Sequence, residues 1–102
     1  MLESTITKKI QKYLKEKGFL VIKIAGGRFQ SPGISDLIAV SPRGMFLAVE
    51  VKQPGKVPTA LQSSFLANVR QHGGVGTWVT SEEQARSVID DILMVENNSG
   101  IN

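Results

Sequence analysis

Leu2, Ile6, Ile10, Tyr13 and Leu14 recur at helical spacing, and Lys8, Lys9, Lys12 and Lys15 fill the gaps between them. This pattern predicts an amphipathic helix over Leu2–Lys17 with a basic outer face, stopped by Gly18. The β-branched run Phe19–Ile24 predicts a strand. Ala25–Gly33, with its glycines and Pro32, predicts a loop. Ile34–Val40 and Met45–Val51 are apolar at nearly every position, as expected of strands covered on both faces. Between them Pro42-Arg43-Gly44 suits a three-residue hairpin loop, with proline second in a type I turn and glycine in the left-handed position after it. That loop sets a register in which Asp36 stands opposite Glu50.

Leu61, Phe65, Leu66 and Val69 line one side of a predicted helix from Ala60 to His72, halted by Gly73-Gly74. Val75–Thr80 predicts a fourth strand, with Trp78 read as core rather than as a base-stacking platform. Ser81-Glu82-Glu83-Gln84 has the capping-box form that opens a last helix to about Met94. The resulting order is αβββαβα: one domain over residues 1–95, then a polar, flexible tail over 96–102.

With 102 residues, the chain has room for one core. The absence of cysteine excludes disulfides, thiolate zinc sites and a cysteine nucleophile. His72 is the single histidine, so zinc sites and nucleases built on paired imidazoles are excluded as well. It sits where a helix end favours a cation, which points to a structural role. The net charge of +3 and pI near 9.5 agree with a polyanionic partner. The longest apolar run, Met45–Val49, is too short to span a membrane, and the first residues lack a secretory pattern, which makes a cytoplasmic location the expectation. Gly55-Lys56 lacks the flanking residues of a phosphate-binding P-loop, so no nucleotide cofactor is expected.

Candidate chemistry converges at one end of the hairpin. Residues opposite one another across antiparallel strands have Cβ atoms about 5 Å apart, so Asp36 and Glu50 can share a cation. Lys52 lies on the same strand face as Glu50, two residues on. A plain ion pair at a strand end is the alternative. It is weakened by the cost of facing two carboxylates in an apolar hairpin. A hard divalent ion such as Mg²⁺ removes that repulsion and takes oxygen ligands.

Gly33-Ile34-Ser35-Asp36, thirteen intervening residues, and Glu50-Val51-Lys52 resemble the D…E-x-K signature of the PD-(D/E)XK nucleases. More narrowly they resemble the virus-type replication-repair nuclease (VRR-NUC) domains, which carry Gly-x-x-Asp before Glu-Val-Lys. Ser35 stands where the broad superfamily has proline, a departure that favours the narrower family. The resemblance implies a restriction-endonuclease-like αβββαβ core, an α/β fold whose mixed sheet is flanked by helices. It implies Mg²⁺, with Mn²⁺ as substitute, held by Asp36, Glu50 and the Val51 main-chain carbonyl, and Lys52 acting on the attacking water. It further suggests Glu3 as an additional metal ligand and Gln62 as a catalytic residue, although Glu3 also suits a helix start and Gln62 completes a capping box with Thr59. Lys8, Lys12, Arg28 and Lys56 are candidate contacts to DNA phosphates. Stand-alone members resemble Holliday-junction resolvases, which implies a homodimer cutting branched or four-way-junction DNA. The alternatives are a non-catalytic DNA-binding module, which has no need of the paired acids, or a nuclease subunit of a larger phage or bacterial complex.

Overall fold

The computed structural model describes residues 2–23 and 33–99. The first helix, α1 (Glu3–Glu16), buries Ile6, Ile10 and Leu14 along one stripe. Its end is a Schellman arrangement: Phe19 N–H reaches the Leu14 carbonyl and Gly18 N–H the Lys15 carbonyl, with Gly18 at φ 86°, a conformation that costs glycine no Cβ clash.

Four strands follow: β1 (Leu20–Lys23), β2 (Leu37–Val40), β3 (Phe46–Val51) and β4 (Val75–Val79). They form one mixed sheet in the order β1-β2-β3-β4, antiparallel from β1 to β3 and parallel between β3 and β4. The helix α2 (Ala60–Gln71) connects the parallel pair, and α3 (Glu82–Ser99) closes the described chain. The two strands expected to be covered on both faces, β2 and β3, are indeed the central ones.

The hairpin loop is Pro42-Arg43-Gly44. Ser41 N–H donates to the Met45 carbonyl and Gly44 N–H to the Ser41 carbonyl, both at 2.9 Å, and Gly44 takes φ 98°. The register runs Val40↔Phe46, Ala39↔Leu47, Ile38↔Ala48 and Leu37↔Val49, as the loop dictates. The strand predicted from Ile34 starts pairing only at Leu37.

Alternation along the strands divides the core. Leu37, Ala39, Leu47, Val49, Val51 and Val79 face α1 and α3 and pack with Ile6, Ile10, Leu14, Ala85, Ile89 and Ile92. On the other face Ala48 packs against Leu66 and Val69 of α2. A Cβ at Gly76 would stand 2.5 Å from the Leu66 carbonyl oxygen, so a bare glycine lets α2 lie directly on β4. Helices α1 and α3, which share one layer, are joined at its rim, where Tyr13 OH donates to Asp90 Oδ1 at 2.6 Å and the Arg86 guanidinium lies 4.5 Å over the Tyr13 ring.

One expectation is corrected at the C-terminal end. Residues 96–99, expected to be loose, continue α3. Glu96 is only 8% exposed, and its carboxylate accepts a hydrogen bond from the Ser41 hydroxyl. Ser41 Oγ in turn accepts Met45 N–H at 2.8 Å, so the hairpin loop is anchored to the last helix. No helix among the described residues is long and apolar enough to cross a membrane.

Candidate active site

Glu50 is the fifth residue of β3, on the face that α2 covers, and its side chain is 2% exposed. Asp36 is half-buried and lies one residue before the Leu37↔Val49 pair, so the antiparallel register carries it to the position opposite Glu50. Lys52 follows β3 directly, and its N–H extends the parallel pairing by donating to the Val79 carbonyl at 2.9 Å. Lys52 Nζ stands 3.7 Å from Glu50 Oε2.

Electrostatics at this point are unbalanced. Burial, then the charge of Asp36, push the Glu50 carboxyl from its ordinary 4.5 up to about 7, with Lys52 pulling the other way. Glu50 Oε1 is buried without a hydrogen-bond partner, as is Ser35 Oγ. Native proteins leave few such atoms, and an orphaned carboxylate oxygen facing a second carboxylate suits a cation. The sequence reading therefore named three side chains that do come together. Among the described residues no three Asp, Glu or His side chains gather as a metal cluster, which leaves the acidic set as a pair.

Glu3 is the first residue of α1, and its carboxylate accepts the N–H of Gln53 at 3.1 Å. It reaches the chain immediately after Lys52 but does not join Asp36 and Glu50 as a third clustered acid. Gln62 occupies the capping box that its spacing suggested: its Oε1 accepts Thr59 N–H at 2.9 Å while its own N–H donates to Thr59 Oγ1 at 3.2 Å. The start of α2 is held close to the segment leading to Asp36, because a Cβ on Gly33 would meet the Leu61 carbonyl oxygen at 2.7 Å.

The candidate DNA contacts scatter. Lys56 is exposed in a turn closed by its N–H donating to the Gln53 carbonyl at 3.0 Å, four residues beyond Lys52. Lys8 and Lys12 are exposed on α1, in the helical layer across the sheet from the two carboxylates. Lys12 shares a surface recess with Glu16, Glu82 and Arg86. Arg28 lies outside the described residues. His72 ends α2, its Nδ1 2.8 Å from the Asn68 carbonyl oxygen, in keeping with a structural part.

Trp78 departs from the sequence reading. It is paired in register with Glu50, shares its sheet face, and is 41% exposed rather than core. Its strand is where the pattern predicts it, but the exposure of this position beside the buried Glu50 was not visible in the sequence.

A mixed four-stranded sheet with α1 and α3 on one face, α2 on the other, and Asp36, Glu50 and Lys52 at the end of its central hairpin defines a nuclease-type α/β domain. Residues 20–83 match the VRR-NUC domain family. A solved structure described as a VRR-NUC domain is similar with a TM-score of 0.73 and 28% identity, covering 86% of this chain and 94% of that one. No curated protein sequence gives a significant match. The chain belongs to the VRR-NUC family.

Proposed function

We propose that this domain is a Mg²⁺-dependent endodeoxyribonuclease, accepting Mn²⁺, that hydrolyses phosphodiester bonds in branched DNA. The observation that carries the reading is the buried, unpartnered Glu50 Oε1 beside Asp36. Two hard oxygen donors in that setting fit a small divalent cation better than any neighbouring side chain does. Asp36, Glu50 and the Val51 carbonyl would hold it. Such an ion, when bound, lowers the pKa of its water and acts as a Lewis acid toward phosphoryl oxygens.

The protein's own groups do the rest. Lys52 brings a compact positive charge to the scissile phosphate and donates hydrogen bonds that orient the attacking water. The bond from Gln53 N–H to Glu3 fixes the backbone that aims Lys52, which gives Glu3 a positioning role in place of direct ligation. Gln62, at the first turn of α2, is within the same neighbourhood through the Gly33–Leu61 contact and is proposed to contact the substrate backbone. Lys56 supplies charge to an adjoining phosphate.

Preference for four-way junctions rests on the family resemblance. The described residues hold one Asp36–Glu50 pair, so symmetric incision of two strands requires a second copy of the chain, and a homodimer follows. The test incubates purified protein with four-way junction, flap, duplex and single-stranded DNA in Mg²⁺, Mn²⁺ or EDTA, beside Asp36→Ala and Lys52→Ala. Cleavage of a branched substrate that disappears in EDTA and in both variants is the expected result. Cutting that survives both substitutions overturns the assignment.

A further inference from the structure

We infer that Trp78 is a stacking platform for an unpaired nucleobase next to the scissile phosphate, so that the substrate presents single-stranded character at the point of cutting. This deepens the nuclease reading and rests on it. Single exposed apolar residues are ordinary on protein surfaces, and Leu2, Leu20 and Met94 are such cases here. Position distinguishes Trp78. It is the in-register parallel neighbour of Glu50, and neighbouring strands lie about 4.8 Å apart, so the indole begins one strand-width from the proposed catalytic carboxylate and on the same face.

The local architecture leaves Trp78 partly exposed. The backbone of α2 presses on β4 at Gly76, two residues earlier on that face, yet Trp78 is 41% exposed. Among the described residues no strand lies beyond it, because β4 is the edge of their sheet. An indole offers a rigid π-face of low conformational cost. A base can use that face only when it is out of its own duplex stack, since bases within a continuous duplex already stack on their neighbours. Base–aromatic stacking is insensitive to sequence because every base has a π-face. The combination of a phosphate-cleaving pair with a flanking aromatic ring therefore selects for a flap, gap or branch rather than for a base sequence.

Trp78 is the sole tryptophan of the chain, so intrinsic fluorescence reports on it alone. In EDTA, where nothing is cut, a single-stranded oligothymidylate is expected to quench the wild-type emission, and a blunt duplex of equal length to leave it nearly unchanged. By anisotropy of labelled DNA, Trp78→Ala should weaken single-strand binding about tenfold, and Trp78→Phe less than about threefold, with duplex affinity unaltered. Thermal melting of both variants checks folding. Equal single-strand affinity in wild type and a folded Trp78→Ala, with flap cleavage by the wild type intact, overturns the inference and leaves the nuclease reading standing. Conversion of a dimer to a monomer by Trp78→Ala, at unchanged single-strand affinity per chain, overturns it in favour of self-association. Failure of the wild type to bind or cut any DNA overturns both readings together.

Discussion

Lys52 Nζ lies 3.7 Å from one oxygen of Glu50, while the other oxygen of the same carboxylate has no partner. The lysine therefore neutralises only part of a pair of acids of which one is buried and the other half-buried. The remainder of the repulsion is stored in the fold until a proton or a cation relieves it.

The stability of the metal-free protein should fall as pH rises. Glu50 has a folded-state pKa of about 7 against an ordinary 4.5. A carboxyl whose pKa is raised by folding contributes stability that is fully present below the unfolded value and is lost as pH rises through the folded one. Denaturant melts in EDTA should show a loss of up to about 3 kcal/mol between pH 4.5 and pH 8 from this group. Glu50→Gln should flatten that dependence and be the more stable protein at pH 8. A wild-type profile that is flat or rises over this window contradicts the electrostatics described.

Two glycines with similar backbone angles should respond differently to alanine. Gly33 and Gly44 have φ of 87° and 98°, but an added Cβ meets the Leu61 carbonyl oxygen at 2.7 Å in the first and nothing within 4 Å in the second. Gly44→Ala should cost about 1 kcal/mol, the ordinary left-handed penalty, and leave cleavage intact. Gly33→Ala should cost more than about 2 kcal/mol and reduce cleavage, because relief of the clash moves the segment bearing Asp36. Urea midpoints and single-turnover rates on the same samples separate the two effects.

Ser41 and Glu96 form a buried pair, and removal of one leaves the other without its partner. Ser41→Ala and Glu96→Ala should each lower stability by about 1–3 kcal/mol. The double variant should lose less than the sum. Deletion of residues 96–102 should reproduce the Glu96→Ala loss, whereas a tail without packing would be removable at no cost in the melting temperature.

Gln62 can be tested for a role beyond its cap. Gln62→Glu retains an acceptor for Thr59 N–H and should melt near the wild type, whereas Gln62→Ala should lose about 1 kcal/mol. Contact of the amide with DNA predicts that Gln62→Glu cleaves at least about tenfold more slowly despite its intact stability, as expected when a carboxylate is set against a phosphate. Unchanged cleavage assigns the residue to the helix start alone.

The parts of this protein that were legible in its sequence are those governed by local chemistry. Pro42 and Gly44 dictated the loop, the loop dictated the register, and the register brought Asp36 to Glu50 without any knowledge of the tertiary fold. The Thr59–Gln62 box was equally local. What escaped depended on how layers meet. The charge of the α1 lysines suggests contact with DNA, but the buried stripe Ile6, Ile10 and Leu14 commits that helix to the opposite side of the sheet. The polarity of Glu96 and the asparagines after it hides the last turn of α3, because the partner of Glu96 is the distant Ser41. Gln84 shows the same limit on a small scale. Its backbone N–H finds Ser81 Oγ at 3.2 Å, but its side chain accepts from Thr80 N–H at 2.8 Å, one residue before the partner that the capping motif names.

The odd length of the hairpin loop has a wider consequence. A commoner two-residue turn at Arg43-Gly44 would pair Pro42 with Met45 and slide every partner by one, setting Asp36 against Val51 and turning Glu50 to the far side of the sheet. The facing of Asp36 and Glu50 is thus a matter of parity, decided by an exposed bend at the far end of the hairpin from the two carboxylates. Arg43 can be exchanged without moving this register, whereas a change that shifts the turn to Arg43-Gly44 should keep a sheet and lose the Asp36–Glu50 pairing.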